Sequence, residues 1–77
     1  MLPLFVIRIE RLNHLIQVKA TGNPKQLSYR LNISERSLYQ YISLLKEMGA
    51  SIHYDRFRET YFFDPGSAFS LRFQRMN

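Results

Sequence analysis

The sequence contains no cysteine. A disulfide framework and thiolate zinc sites are therefore excluded, and the chain fits a reducing compartment, with the cytoplasm as its expected location. Long apolar runs are missing too. The start, Met1 to Ile9, is apolar but meets charge at Arg8, Glu10 and Arg11. It has neither a basic n-region nor a small-residue cleavage pattern, so no signal peptide and no membrane span are expected. Repeats, low-complexity tracts and linkers are absent, which leaves a single domain over residues 1–77 as the expectation. Catalytic signatures are wanting as well. His14 and His53 stand alone on separate elements, and no Gly-rich phosphate loop, paired carboxylates or nucleophile elbow occurs. The expectation is a protein that is not an enzyme and takes no cofactor, metal or small-molecule ligand. No effector-sensing domain is recognisable, so regulation is expected from a partner, from abundance, or from a larger protein of which the chain is a piece.

What is present is basic and aromatic. Acidic residues number six against eleven Lys and Arg, a net charge of +5. Eight of the eleven are Arg, whose planar fork binds phosphate bidentately. A chain of 77 residues has a thin core, and a domain this size buries only about 60% of its unfolded surface. Six Phe and five Tyr supply large buried areas from few residues.

Punctuation at Thr21-Gly22-Asn23-Pro24, at Gly49 and at Asp64-Pro65-Gly66 divides the chain into three parts. In the first, Phe5, Ile9, Leu12 and Ile16 recur with helical spacing and predict a helix over about 4–20. The β-branched start, Phe5-Val6-Ile7, leaves a short strand open there. A second stripe, Leu4, Ile7, Leu15 and Val18, requires a second covering surface. The next helix, about 24–31, has Asn23 as N-cap, Pro24 at N1 and Gln26 placed for a capping box, with Leu27 and Leu31 inward. Asn32 tolerates a left-handed turn, and Ile33 packs inward from it. Ser34 caps a third helix, about 35–48, that ends at Gly49. Leu38, Ile42 and Leu45 form its apolar face, with Tyr41 beside them. Arg36, Gln40, Ser43 and Glu47 lie opposite. A hairpin over about 51–63 follows, with a five-residue tip at Asp55–Glu59. Ile52 and Tyr54 are expected on one face of its first strand, and Tyr61 and Phe63 on one face of its second. Phe69, Leu71 and Phe73 alternate with polar residues and predict a further strand over about 68–74.

Two helices joined by about three residues with a left-handed turn cross one another, a helix-turn-helix arrangement. The run from Gln26 to Ile42, followed by Leu45, Gly49, Ala50, Ile52 and Tyr61, resembles the winged helix-turn-helix of deoxyribose-operon-type repressors and the biotin-repressor N-terminal domain. The likeness spans about residues 8–63. That pattern has a small residue at Ser28, glycine at Asn32, Ser-x-Arg-Ser/Thr over Ser34–Ser37, and apolar residues at Leu38 and Ile42. It carries Arg-Asp where this chain has Gln40 and Tyr41, so no base preference transfers. The resemblance implies an α+β winged helix that binds duplex DNA, with the third helix in the major groove and the hairpin as the wing.

On that expectation Ser34, Arg36, Ser37, Tyr39, Gln40 and Ser43 are the DNA-contacting residues of the helix, Lys25 and Arg30 touch the backbone, and Arg56 and Arg58 act from the wing. Arg36 suits guanine O6/N7 or a phosphate, and Gln40 suits adenine N6/N7. Capping alone accounts for Ser34. Tyr39 serves a sugar-phosphate contact or packing on a neighbour equally well. Arg at the tip suits a narrow, A·T-rich minor groove, although a charged tip also keeps an edge hairpin soluble. Phe57 is read as a packing residue rather than an intercalating wedge. The expected role is a small transcriptional regulator. Two alternatives stay open: an excisionase-like factor that bends DNA, and a winged helix that binds protein. The second stripe and the last strand predict a homodimer, or a strand folded back over that stripe within one chain.

Overall fold

The computed structural model describes residues 3–66. They form three helices and one antiparallel hairpin, an α+β arrangement: α1 (Leu4–Gln17), α2 (Pro24–Leu31), α3 (Glu35–Glu47), β1 (Ile52–Asp55) and β2 (Thr60–Phe63). α1 begins where Pro3 supplies a carbonyl to the N–H groups of Val6 and Ile7, at 3.0 and 3.2 Å. Phe5-Val6-Ile7 is helical, so the short strand left open there does not form. Ile9, Leu12 and Ile16 bury one face of α1 completely, and burial of a helical stripe outweighs the β-preference of three residues. Phe5 leaves that stripe. It is 43% exposed and meets Tyr41 of α3 edge-on, with ring centroids 5.3 Å apart at 88°.

All three helices close in the same way. A residue with left-handed backbone, Lys19, Asn32 or Gly49, donates its N–H back into the last turn, and the next residue donates to the carbonyl one residue further back. The pairs are Lys19 to Ile16 and Ala20 to Leu15, Asn32 to Tyr29 and Ile33 to Ser28, Gly49 to Lys46 and Ala50 to Leu45, all at 3.0–3.2 Å. These are Schellman closures, which satisfy carbonyls that a helix end otherwise leaves orphaned. They also correct two boundaries. α1 stops at Gln17 rather than Ala20, because Lys19 turns left-handed at φ 55°. α3 stops at Glu47 rather than Met48, which serves as its cap. At the start of α2 the capping box is complete: Asn23 Oδ1 accepts from Gln26 N–H at 2.8 Å, and Gln26 Oε1 accepts from Asn23 N–H at 2.9 Å. Gly22 makes room for it. Its φ is +75°, and a Cβ there would stand 2.6 Å from Gln26 Oε1.

The core gathers Leu27 and Leu31 of α2 and Leu38, Ile42 and Leu45 of α3 against the α1 stripe, closed by Ala50, Ile52 and Tyr61. α2 packs on α1 and α3, and β2 packs on α1. Leu15, Ile33, Tyr41, Leu44, Tyr54 and Phe63 surround it, partly buried.

The hairpin differs from expectation in two respects. Asp55 stays in register opposite Thr60, so the loop is the four residues 56–59 rather than a five-residue tip. The strict alternation on β2 also fails, since Thr60 is as buried as Tyr61. The cause is Thr21, itself 0% exposed, in the α1–α2 loop. Thr21 Oγ1 accepts from Tyr61 N–H at 2.8 Å, Thr60 Oγ1 accepts from Thr21 N–H at 3.2 Å, and the two hydroxyls lie 3.1 Å apart. A side chain on the nominally outward face of β2 thus becomes a hydrogen-bonded brace between hairpin and helices. The expected strand over about 68–74 lies outside the described residues.

Candidate nucleic-acid interface

α3 is placed by its apolar face. With Leu38, Ile42 and Leu45 buried, helical spacing turns Arg36, Gln40, Ser43 and Glu47 outward, and all four are exposed. The Arg36 side chain has no hydrogen bond or ion pair among the described residues. Neither do the side chains of Lys25, Arg56 and Arg58, all exposed, whereas His53 Nε2 approaches Asp64 Oδ2 at 3.5 Å. These four candidate contact residues are therefore uncommitted cations within the fold. Glu47 is the acid at the far end of the face, so the polar, non-acidic part runs from Arg36 to Ser43.

Other expected contact residues carry internal duties. Ser34 caps α3: its Oγ accepts from Ser37 N–H at 3.0 Å and donates to Ser37 Oγ at 3.1 Å. Both hydroxyls belong to the helix start, and Ser37 is half-buried. Arg30 donates from Nη1 to the Ala20 carbonyl at 2.7 Å, tying α2 to the end of α1. It is a brace as well as a surface charge. Tyr39 is half-exposed on the flank of α3 that faces the hairpin, within electrostatic reach of Tyr54 and Tyr61. Tyr41, where the resembled pattern has an acid, packs edge-on against Phe5 instead.

A two-stranded hairpin alone is marginal in water, and this one has added support. Cross-strand ring pairs brace it, Tyr54 with Tyr61 at 4.8 Å and His53 with Phe62 at 5.6 Å. Burial pushes the Tyr61 hydroxyl up to about 12, with neighbouring Tyr39, Tyr54 and Glu35 adding to the rise. Tyr54 is raised too, by burial and then by Glu59 and Asp55. At the other end, Asp64 is held below the usual carboxylate range by the Gly66 N–H at 3.0 Å and by His53. Asp55 organises the tip: its Oδ1 accepts from the N–H groups of Phe57 and Arg58 at 2.8 and 3.1 Å, and Glu59 closes the loop with left-handed backbone.

Sequence reasoning placed Phe57 among packing residues. The structure corrects this: Phe57 is 101% exposed and its ring packs on none of the described residues. The cause is the Asp55 turn, which points the middle of the loop away from the sheet. A second residue was passed over. Tyr29 is 87% exposed on α2, one turn from Lys25, and both line a depression that also includes Gln26 and Ile33. The i, i+4 spacing was the available signal. Among the described residues no group of three or more His, Cys, Asp or Glu could hold a metal ion, and no helix is long and apolar enough to cross a membrane. No family model, curated protein or solved structure matches the chain.

Proposed function

We propose that the protein is a winged helix-turn-helix that binds duplex DNA selectively and acts as a small transcriptional regulator. α2, the turn over 32–34 and α3 make the helix-turn-helix, and the hairpin makes the wing. The observation that carries this reading is the outward face of α3. A rigidly packed helix offers Arg36, Gln40 and Ser43 to solvent with no internal duty for Arg36. The major groove is about 12 Å wide and admits one such helix. Arg36 and Gln40 then supply base contacts or, for Arg36, a phosphate contact. Lys25 and Tyr29 lie on α2 where the supporting helix crosses the backbone. Arg56 and Arg58 reach the backbone or minor groove from the wing. Ser34 and Ser37 act chiefly as the helix start, and Arg30 contributes only the donors left over from Ala20.

Selection from a random oligonucleotide pool tests the proposal, because it reports binding, site symmetry and sequence together. Arg36→Ala and Gln40→Ala are each expected to weaken the selected site by about 1–3 kcal/mol. Wild-type affinity in both variants would remove α3 as the reader. No binding of mixed-sequence duplex at micromolar protein and low salt would end the DNA reading altogether.

The proposal extends to a homodimer through α1. Of the second stripe, Leu4 and Ile7 of α1 and Val18 at its cap remain 58%, 47% and 53% exposed, while Leu15 packs against the core. A second copy pairing on this stripe would bury it and present two α3 helices to half-sites about one helical turn apart.

A further inference from the structure

We infer that the wing tip is a DNA wedge: Phe57 inserts between two base pairs while Arg56 and Arg58 hold the phosphates on either side, so that binding bends the duplex. This rests on the DNA-binding reading above and goes beyond it, because base reading by α3 needs no bend. Four observations combine. The Phe57 ring is fully exposed, with no partner among the described residues. Its neighbours on both sides are exposed, uncommitted arginines. Its backbone is pinned by Asp55 Oδ1 at 2.8 Å, so the ring sits on a fixed turn rather than a loose loop. Finally, the hairpin beneath is braced by the ring pair of Tyr54 and Tyr61 and by the Thr21–Thr60 contact, so it can transmit load to the helices. Apolar side chains used this way unstack a base step and kink the duplex by about 20–90°. Pyrimidine–purine steps, TA above all, unstack most readily. The Asp55 carboxylate is turned toward the loop's own backbone, its Oδ1 accepting from two N–H groups, and its single charge is outnumbered by the two arginines of the tip. Glu59 is the acid left at the loop, at its base rather than its apex. The same tip could be offered to an anionic membrane, but one ring and two cations make a weak, reversible anchor there. On DNA they add to contacts that α3 already makes.

The test uses the full 77-residue chain and a duplex of about three helical turns with a central TA step in mixed sequence, carrying donor and acceptor dyes at its ends. Anisotropy reports binding and energy transfer reports bending. Wild-type protein should bind and raise transfer. Phe57→Ala should still bind, about 3–10-fold more weakly, without raising transfer, whereas Phe57→Leu, which keeps an apolar wedge, should keep the bend. Because the Phe57 ring packs on none of the described residues and its backbone N–H is kept in both variants, both should unfold at the wild-type denaturant midpoint. Replacing TA by a GC step should weaken the wild type and leave Phe57→Ala nearly unaffected. Binding without any bend, or a bend that survives Phe57→Ala, overturns the wedge and leaves the DNA reading standing. Absence of binding by all three proteins overturns both. Phe57-dependent capture on vesicles of phosphatidylcholine with 30% phosphatidylserine, with no bend in the duplex, overturns the wedge in favour of a membrane contact.

Discussion

At the scale of single residues, the Thr21–Thr60 brace is the feature whose loss should be felt most for its size. Both side chains are buried, and Thr21 Oγ1 is the acceptor for the Tyr61 N–H. Thr21→Val keeps the shape and removes that acceptor. A buried donor left unsatisfied costs about 1–3 kcal/mol, so the variant should lose that much in urea unfolding with an unchanged slope. Retention of wild-type stability would mean that the N–H finds another acceptor. Tyr61 supports a second prediction, in pH. Its hydroxyl is raised to about 12 by burial, while the unfolded chain ionises near the ordinary tyrosine value of about 10. Between these values the unfolded state has released the proton and the folded state holds it. Stability should therefore fall as pH rises from 10 towards 12. Tyr61→Phe should flatten the decline, leaving the share due to Tyr54, which is raised in the same direction. An unfolding series from pH 9 to 11.5 on both proteins measures the difference.

At the scale of elements, the three helix ends show where local chemistry and backbone demand agree and where they do not. Gly49 suits its left-handed position, Asn32 tolerates one, and Lys19 has no such excuse at φ 55°. A side chain in that region costs about 1–2 kcal/mol, and a cation near a helix C-terminus returns about 0.3–1. Lys19→Gly should therefore gain about 0.5–1 kcal/mol in denaturant unfolding. Lys19→Ala keeps the strain, loses the charge and should gain nothing. The same comparison explains what was readable in advance. α2 and α3 were legible because caps, periodicity and turn residues coincided: Asn23, Gln26, Asn32, Ser34 and Gly49 all stand where the structure uses them. The end of α1 was not, because a lysine carries no signal for a left-handed closure. The Thr21–Thr60 brace was hidden for a different reason. It joins residues 39 positions apart, and a threonine facing a buried hydroxyl has the same sequence signature as one facing water. The candidate interface divides along the same line. Arg36, Gln40 and Ser43 follow from helix period alone. The commitment of Arg30 to Ala20 and the bare ring of Phe57 depend on tertiary geometry and on how one carboxylate folds a four-residue loop.

At the scale of the whole molecule, the number of free cations on the candidate DNA face sets how binding must respond to salt. There, Lys25, Arg36, Arg56 and Arg58 have exposed side chains without partners among the described residues, whereas Arg30 is tied to a carbonyl. Four neutralised phosphates give a slope of log K against log salt of about −3.6 on B-DNA, since each contributes about −0.9. A dimer engaging both half-sites doubles this to about −7. The two assemblies thus differ in a quantity that needs no knowledge of the target sequence. Arg56→Ala with Arg58→Ala should reduce the magnitude by about 1.8 for a monomer and about 3.6 for a dimer. Arg30→Ala should change it little and should lower stability instead. Sedimentation at the concentrations of the binding assay supplies the independent arm. A monomer by sedimentation with a slope near −3.6 would remove the α1 dimer and require that Leu4, Ile7 and Val18 be covered by other means or left to solvent. A dimer with a slope near −7 would place two reading helices on one duplex. With two copies of the tip on the same site, any bend should then be centred on the two-fold axis of the DNA, which circularly permuted probes can locate.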